Sequence, residues 1–329
     1  MFKDRTIAVV VPCHNEAALI GNVVRGIPSF VDRIIVVDDA STDNTADVVE
    51  QLAQADPHHR LQLVRRPNNG GCGAAVASGY KEVLRQGIDI AAVMDGDGQM
   101  DPTQLEWLIA PVASGEADYA KGNRLFYPGA RQIIPASRFL GNAFLSMLTK
   151  IASGYWHVAD SQSGFVAISR GALEFLDVDS LYPRYGYLND ILIRLNVYGF
   201  RVRDVNIRPV YGVGERSKMR IHRVIPRIGG LIVKRFCWRL WEKYVIRDFH
   251  PLVLFYLSAA ALHVAGIGLL GRMVYMWVTT DRLPPINTLM WVFCAISSIQ
   301  LSLFAMWFDM EMNRELHGWG PEGPPHRRT

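Results

Sequence analysis

Short apolar runs alternate with helix-patterned segments through the first two thirds of the chain. Residues 6–11 form an apolar run closed by Pro12, and residues 33–37, 61–64 and 90–94 repeat the pattern. Between them, residues 16–26, a stretch capped by Asp43 or Thr45 and running towards Ala55, and residues 73–85 carry helical character. Short buried strands alternating with helices predict an α/β/α sandwich around a mostly parallel sheet, one domain over residues 1–213. In such a sheet, ligands bind beyond the carboxyl ends of the strands.

The pattern changes after residue 213. Residues 251–271 contain no Lys, Arg, Asp or Glu, and residues 286–308 are likewise uncharged. Each run is about the twenty residues a helix needs to cross a hydrocarbon core. Asp281, Arg282, Pro284 and Pro285 read as the tight connection of a two-helix transmembrane hairpin over 251–310. A buried hairpin in a soluble fold is the alternative, although two consecutive uncharged runs of this length are rare there.

Charge adds a third region. The formal net charge is only +4, yet residues 216–247 hold ten Lys/Arg against one acid, Glu242. Apolar and aromatic residues such as Ile228, Phe236, Trp238 and Trp241 are interleaved with them. Such a stretch binds nucleic acid or lies on an anionic membrane surface, and the uncharged runs that follow favour the membrane. Residues 214–250 are therefore expected to be a basic loop and a pair of amphipathic interfacial helices. Lys234, Arg235, Arg239, Lys243 and Arg247 before the hairpin, and Arg314, Arg327 and Arg328 in the 311–329 tail, place both ends in the cytoplasm at the inner membrane. The apolar run near the N-terminus is too short for a signal peptide. Four dispersed cysteines form no Cys-x-x-Cys pair, which fits a reducing compartment. Gly266, Gly268 and Gly271 permit close helix contact, so a homo-oligomer stays open.

Candidate chemistry gathers at the predicted strand ends. Four polar clusters fall there: His14-Asn15-Glu16, Asp38-Asp39-Ala40-Ser41-Thr42-Asp43, Asn68-Asn69-Gly70-Gly71, and Asp95 to Asp101. A helix cap explains one acid of the second cluster, whereas Asp38 and Asp39 together fit a ribose or base contact. The Asn-Asn-Gly-Gly segment lacks the Gly-Lys-Ser/Thr of a phosphate loop and reads as a tight turn. Asp95 and Asp97, one residue apart with Gly between, can offer oxygen ligands to a hard divalent cation that neutralises a diphosphate.

Val10-Val11-Pro12-Cys13-His14-Asn15-Glu16, Val37-Asp38-Asp39-Ala40-Ser41-Thr42-Asp43 and Met94-Asp95-Gly96-Asp97 together resemble family 2 glycosyltransferases of the GT-A fold. Gly122-Asn123-Arg124, Asp160-Ser161-Gln162-Ser163-Gly164-Phe165 and Gly214-Glu215-Arg216-Ser217-Lys218 extend the resemblance to the polyprenyl-phosphate sugar synthases, which include dolichyl-phosphate mannose synthase. That resemblance implies a nucleotide diphosphate sugar as donor and a polyprenyl phosphate lipid as acceptor. It implies that Pro12, Asn15, Glu16, Asp38, Asp39 and Asp95 contact the nucleotide sugar, with Arg216 and Lys218 closing over its diphosphate. Asp95, Asp97 and Gln99 would surround Mg2+ or Mn2+, and Arg124 and Arg138 would receive the acceptor phosphate.

A phosphate monoester is largely a dianion at about pH 7, its second pKa being near 6. It needs cationic positioning more than a base, and Arg reads phosphate with two parallel hydrogen bonds. A hydroxyl acceptor would need a carboxylate base. Asn189-Asp190 falls where many family 2 enzymes have Glu-Asp, so Asp190 is a base in the hydroxyl reading and a structural acid in the phosphate reading. The Gln-x-x-Arg-Trp motif of the processive polysaccharide synthases is not found in the chain. The remaining alternative is a catalytically silent membrane scaffold, against which the retention of both Asp95 and Asp97 counts.

Overall fold

The computed structural model describes residues 1–130, 134, 136–210 and 221–318, with only the backbone for 136–138 and 221–225. Two compact units divide the chain: residues 1–236 with 315–329, and residues 237–314.

Seven strands form the sheet of the first unit: β1 Ile7–Cys13, β2 Arg33–Asp38, β3 Leu61–Arg65, β4 Ile90–Val93, β5 Tyr119–Asn123, β6 Val166–Ser169 and β7 Val202–Asn206. Their order is β3-β2-β1-β4-β6-β5-β7, parallel except for β6, which runs antiparallel to β4 and β5. The helices are α1 Ile20–Gly26, α2 Thr45–Ala55, α3 Cys72–Arg85, α4 Leu105–Ala113, α5 Ala136–Ser153, α6 Arg170–Phe175 and α7 Tyr187–Val197.

Alternation along β1 explains the sandwich. Ala8 and Val10 enter one buried cluster with Val76, Tyr80, Leu188 and Ile191, on the side of α3 and α7. Ile7, Val9 and Val11 enter the other with Ile20, Val23, Leu105 and Ile109, on the side of α1 and α4. Both faces of the strand are covered, which is why its sequence, Ile-Ala-Val-Val-Val-Pro-Cys, contains no charged or amide side chain. Each such buried side chain contributes about 1.5–3 kcal/mol. On the first face α3 approaches β1 so closely that a Cβ at Gly79 would stand 2.2 Å from Val10 Cγ1.

Two element boundaries differ from the sequence reading. Pro12 does not close β1, which continues to Cys13 with Pro12 paired to Val37 of β2. The Pro12 carbonyl accepts from Gly96 N–H (3.2 Å), so its missing N–H faces the side where β4 has already ended and breaks no ladder bond. The first helix starts at Ile20, because the amides of Glu16 and Ala17 are bonded to Thr45 Oγ1 and Asp43 Oδ2.

Helix α8 (Ile221–Trp241) starts in the first unit and ends in the second. It continues into a π-helical stretch, Glu242–Arg247, so the described residues of this region form one helix and its extension. Helices α9 (Leu252–Thr280) and α10 (Pro285–Met312) pack antiparallel, with Asp281 in a left-handed conformation at the turn. Most of their large apolar side chains face outward, Leu257, Val264, Ile267, Leu289, Phe293, Ile296 and Trp307 among them. A soluble core hairpin would bury these residues, whereas a membrane-spanning pair exposes them to lipid. Arg239, counted above as a leaflet-facing cation, is instead fully buried and bonded through two nitrogens to Asp309 at 3.0 Å. Tyr244 Oη donates to the same carboxylate (2.6 Å), and Lys243 Nζ donates to Asn313 (2.7 Å).

Candidate active site

The carboxyl ends of β1, β2 and β4 carry the expected clusters. After β4 the chain stays fastened to β1: Met94 N–H donates to Val10 O (3.0 Å) and Gly96 N–H to Pro12 O (3.2 Å). This sets Asp95 at the sheet end, facing the segment before β6. A Cβ at Gly164 would stand 3.1 Å from Asp95 Oδ2, so only a glycine there leaves the carboxylate unobstructed. Burial pushes the Asp95 carboxyl up to about 7; the charges of Asp97 and Glu16 add to the rise and Arg124 opposes it. Asp97 Oδ1 accepts from the Gln99 N–H at 3.0 Å.

A divalent cation fits this arrangement. A buried carboxylate beside a like charge is held short of ionisation, and a cation removes that penalty. The donors are oxygens alone, which suits Mg2+ or Mn2+. Among the described residues no set of three His, Cys, Asp or Glu side chains converges, so the pair leaves most of the coordination sphere to substrate oxygens and water. Gln99 is joined to the pair through its backbone.

The first two clusters are laced together. Asn15, at φ 55°, donates its N–H to Ser41 Oγ (2.9 Å), and its side-chain Oδ1 accepts from the Thr42 N–H (2.8 Å). Asp38 accepts from the hydroxyl and the N–H of Ser41, and is buried. Asp39 is buried as well, and its carboxylate is ion-paired with Arg66 and accepts from the amides of Gly70 (3.0 Å) and Gly71 (2.7 Å). Asp39 thus holds the Asn-Asn-Gly-Gly turn against the end of β2. The acids crowd Cys13: burial, then Asp38, Glu16, Asp43 and Asp39, push its thiol far up and keep it protonated.

Arg124, at the end of β5, is gripped by fully buried Asp160, Nε to Oδ2 at 2.8 Å and Nη2 to Oδ1 at 3.2 Å. Burial alone would raise the Asp160 carboxyl; Arg124 and Lys121 outweigh it, and the net direction is down. Lys121 is buried too, donates to Ser163 O (2.6 Å), and is brought down to about 7 by burial despite Asp160 and Asp204. Lys121 and Asp204 were not singled out in the sequence, and Asp160 entered there only as the first residue of a segment that carries the family resemblance. The available signal was a Lys inside the otherwise small and apolar run Tyr119-Ala120-Lys121-Gly122.

Asp190, in the first turn of α7, is fully buried and saturated. It accepts from Arg194 Nε (3.1 Å) and Tyr182 N–H (3.0 Å), while Arg235 of α8 stands 2.7 Å from Oδ1 and donates to Oδ2 at 3.2 Å. Its neighbour Asn189 accepts from Thr149 and Gln162. Of the predicted site residues, Glu16, Asp95, Asp97 and Arg124 share one electrostatic neighbourhood. The Arg138 side chain, Arg216 and Lys218 lie outside the described residues.

Residues 8–177, more than half the chain, match the family described as glycosyl transferase family 2. The chain is 31% identical over 219 residues to the UDP-N-acetylglucosamine–dolichyl-phosphate N-acetylglucosaminyltransferase of Methanococcus voltae, covering 63% of this chain and 87% of that one. It is 31% identical over 209 residues to the polyprenol monophosphomannose synthase of Mycolicibacterium smegmatis, covering 62% and 77%. Glucosyl-3-phosphoglycerate synthase from Mycobacterium tuberculosis, crystallised with Mg2+ and uridine diphosphate, superposes with a TM-score of 0.53 at 23% identity, over 72% of this chain and 79% of that one. That likeness fixes the fold as GT-A. By fold and by sequence, the chain belongs to glycosyl transferase family 2.

Proposed function

We propose that the chain moves a sugar from a nucleoside diphosphate sugar to a polyprenyl phosphate at the cytoplasmic face of a membrane, with inversion at the anomeric carbon. The observation that carries this reading is Arg124, locked by Asp160 and close enough to the Asp95 carboxyl to lower it, which sets a cation for an anionic acceptor beside an acidic pair for the donor. The names of the relatives above support a polyprenyl or dolichyl phosphate as acceptor. Asp190, the one base considered for a hydroxyl acceptor, has its lone pairs taken by two arginines and an amide, which favours an acceptor that needs no base.

In this reading an acceptor phosphate oxygen attacks the anomeric carbon as the bond to the donor diphosphate breaks, and the electron pair leaves with the nucleoside diphosphate. A single displacement inverts the centre. Asp95 and Asp97 would hold Mg2+ or Mn2+, and the chemistry that ion would supply is neutralisation of the negative charge of the leaving diphosphate. Arg124, with Arg138, orients the acceptor dianion. Arg216 and Lys218 cover the diphosphate, and Pro12, Asn15, Glu16, Asp38 and Asp39 line the nucleoside side, Asp39 by fixing the turn at Gly70 and Gly71. The full-length protein, reconstituted with a polyprenyl phosphate and a panel of radiolabelled UDP- and GDP-sugars, should pass label to an organic-extractable, acid-labile lipid. Transfer should need a divalent cation and fall at least a thousandfold in Asp97→Ala. No labelled lipid from any donor of the panel contradicts the proposal.

A further inference from the structure

Burying a lysine costs free energy unless its charge is put to use, and β5 buries one. Lys121 is fully buried between Ala120 and Gly122, and its register partner on β7 is Asp204. The two side chains share one face of the sheet, since Asn123, two residues on from Lys121, donates Nδ2 to Asp204 Oδ2 (3.0 Å). The Ala159 amide donates to the same oxygen (2.7 Å), while Asp204 Oδ1 is buried and meets no donor among the described residues. Lys121 Nζ donates to Ser163 O (2.6 Å), and Gly122 N–H donates to Phe165 O (2.8 Å). These bonds pin to β5 the same segment whose Asp160 grips Arg124 through two nitrogens. The charges that reach Lys121 are Asp160 from that segment, Asp204 from β7 and Arg124 from the end of β5, and Lys150 of α5 acts on Asp204.

Charge shows what the lysine changes. A buried carboxylate bonded to a guanidinium through two nitrogens cancels its charge, so the Arg124–Asp160 pair alone offers an anion no net attraction. We propose that Lys121 is a positioning residue for the acceptor phosphate: its buried ammonium offsets the Asp160 carboxylate and leaves Arg124 a net positive charge to present to a dianion. This rests on the phosphate acceptor proposed above. A buried cation serves the purpose well, because salt screens it little and it cannot swing out to bind the phosphate in place of Arg124. Burial brings Lys121 down to about 7, so its ammonium is charged below that pH and loses its proton above it. Burial raises Asp204 to about 7 as well, and its ionisation removes positive charge in the same direction. The hold on an acceptor phosphate is therefore strongest on the acid side of 7 and weakens above it, opposite to the trend that the phosphate's own ionisation produces.

Calorimetric titration of citronellyl phosphate, a water-soluble prenyl phosphate, into the full-length protein with saturating Mg2+ tests this between pH 6 and pH 9. The quantity read is the ratio of wild-type affinity to that of Lys121→Met, in which the ligand's own ionisation cancels. The expected ratio is about ten at pH 6, where the ammonium is charged, and falls to about one at pH 9. A ratio that does not change with pH means that the lysine serves the fold alone, and overturns the proposal. Asp204→Asn, which keeps the shape of the side chain, is the second variant and stands even if Lys121→Met does not fold. Removing that acid makes Lys121 easier to deprotonate, so the alkaline fall in affinity should have its midpoint at least half a pH unit below that of the wild type. An unmoved midpoint overturns the proposal. Absence of wild-type binding at every pH overturns the phosphate acceptor and this proposal with it, whereas binding with a level ratio overturns this proposal alone.

Discussion

Asp95 carries a charge that its surroundings resist, and that resistance has a measurable consequence. Because burial and Asp97 raise its carboxyl to about 7, a proton occupies the site below that pH and a cation must expel it. The apparent affinity for Mn2+ should therefore be level above pH 7 and fall by about tenfold per pH unit as the pH drops below it, one proton being displaced. Spin-resonance titration of free Mn2+ between pH 5.5 and 8.5 reads this directly, and a flat profile contradicts it. The acidic pair was legible in the sequence because both carboxylates lie within three consecutive residues at the end of an apolar run. The Arg124 clamp was only half legible. Arg124 was visible by motif, but the carboxylate that aims it lies 36 residues later, and local pattern does not say which carboxylate will meet which guanidinium. Asp39 shows the opposite limit: its position at a strand end was plain, while its partners, Arg66 and the Gly70 and Gly71 amides, are set by how the next strand returns.

At the scale of elements, buried strands announced themselves as short apolar runs, and β1 to β4 fell within two residues of where the pattern put them. The misreadings came where long-range bonds override local propensity, as at Pro12 and at the start of α1. Asp190 is the clearest element-level joint. It ties α7 to α8 through Arg235 and to the turn at Tyr182, a link between segments 45 residues apart. Asp190→Asn leaves Arg194 and Arg235 without their shared counter-charge in a largely buried setting. The expected loss is about 3 kcal/mol of stability, seen as a lower denaturant midpoint, with turnover per folded molecule reduced less than tenfold. A variant of unchanged stability and no turnover would instead make Asp190 the base.

At the scale of the molecule, the chain joins a GT-A unit to a pair of apolar helices, and the orientation of that pair was argued from Lys and Arg alone. Arg235, Arg239, Arg247 and Arg314 prove to be paired with Asp190, Asp309, Glu242 and Glu311, which weakens their vote and leaves Lys234 with the rest of the basic stretch. On the orientation proposed from the basic residues, with both ends cytoplasmic, the α9–α10 turn would lie on the far side, and Arg282→Cys should react with a membrane-impermeant maleimide on intact cells. Reaction only after permeabilisation would reverse the orientation. The central claim, however, is that the Asp95–Asp97 pair joins a cation to a nucleoside diphosphate. It is tested most directly by calorimetric titration of UDP and GDP into the full-length protein with and without Mn2+, in wild type and in Asp97→Asn. The account predicts that Mn2+ tightens one of the two nucleotides at least tenfold in the wild type and that the variant loses this gain. Equal affinity with and without Mn2+, or the same gain in the variant, would contradict it.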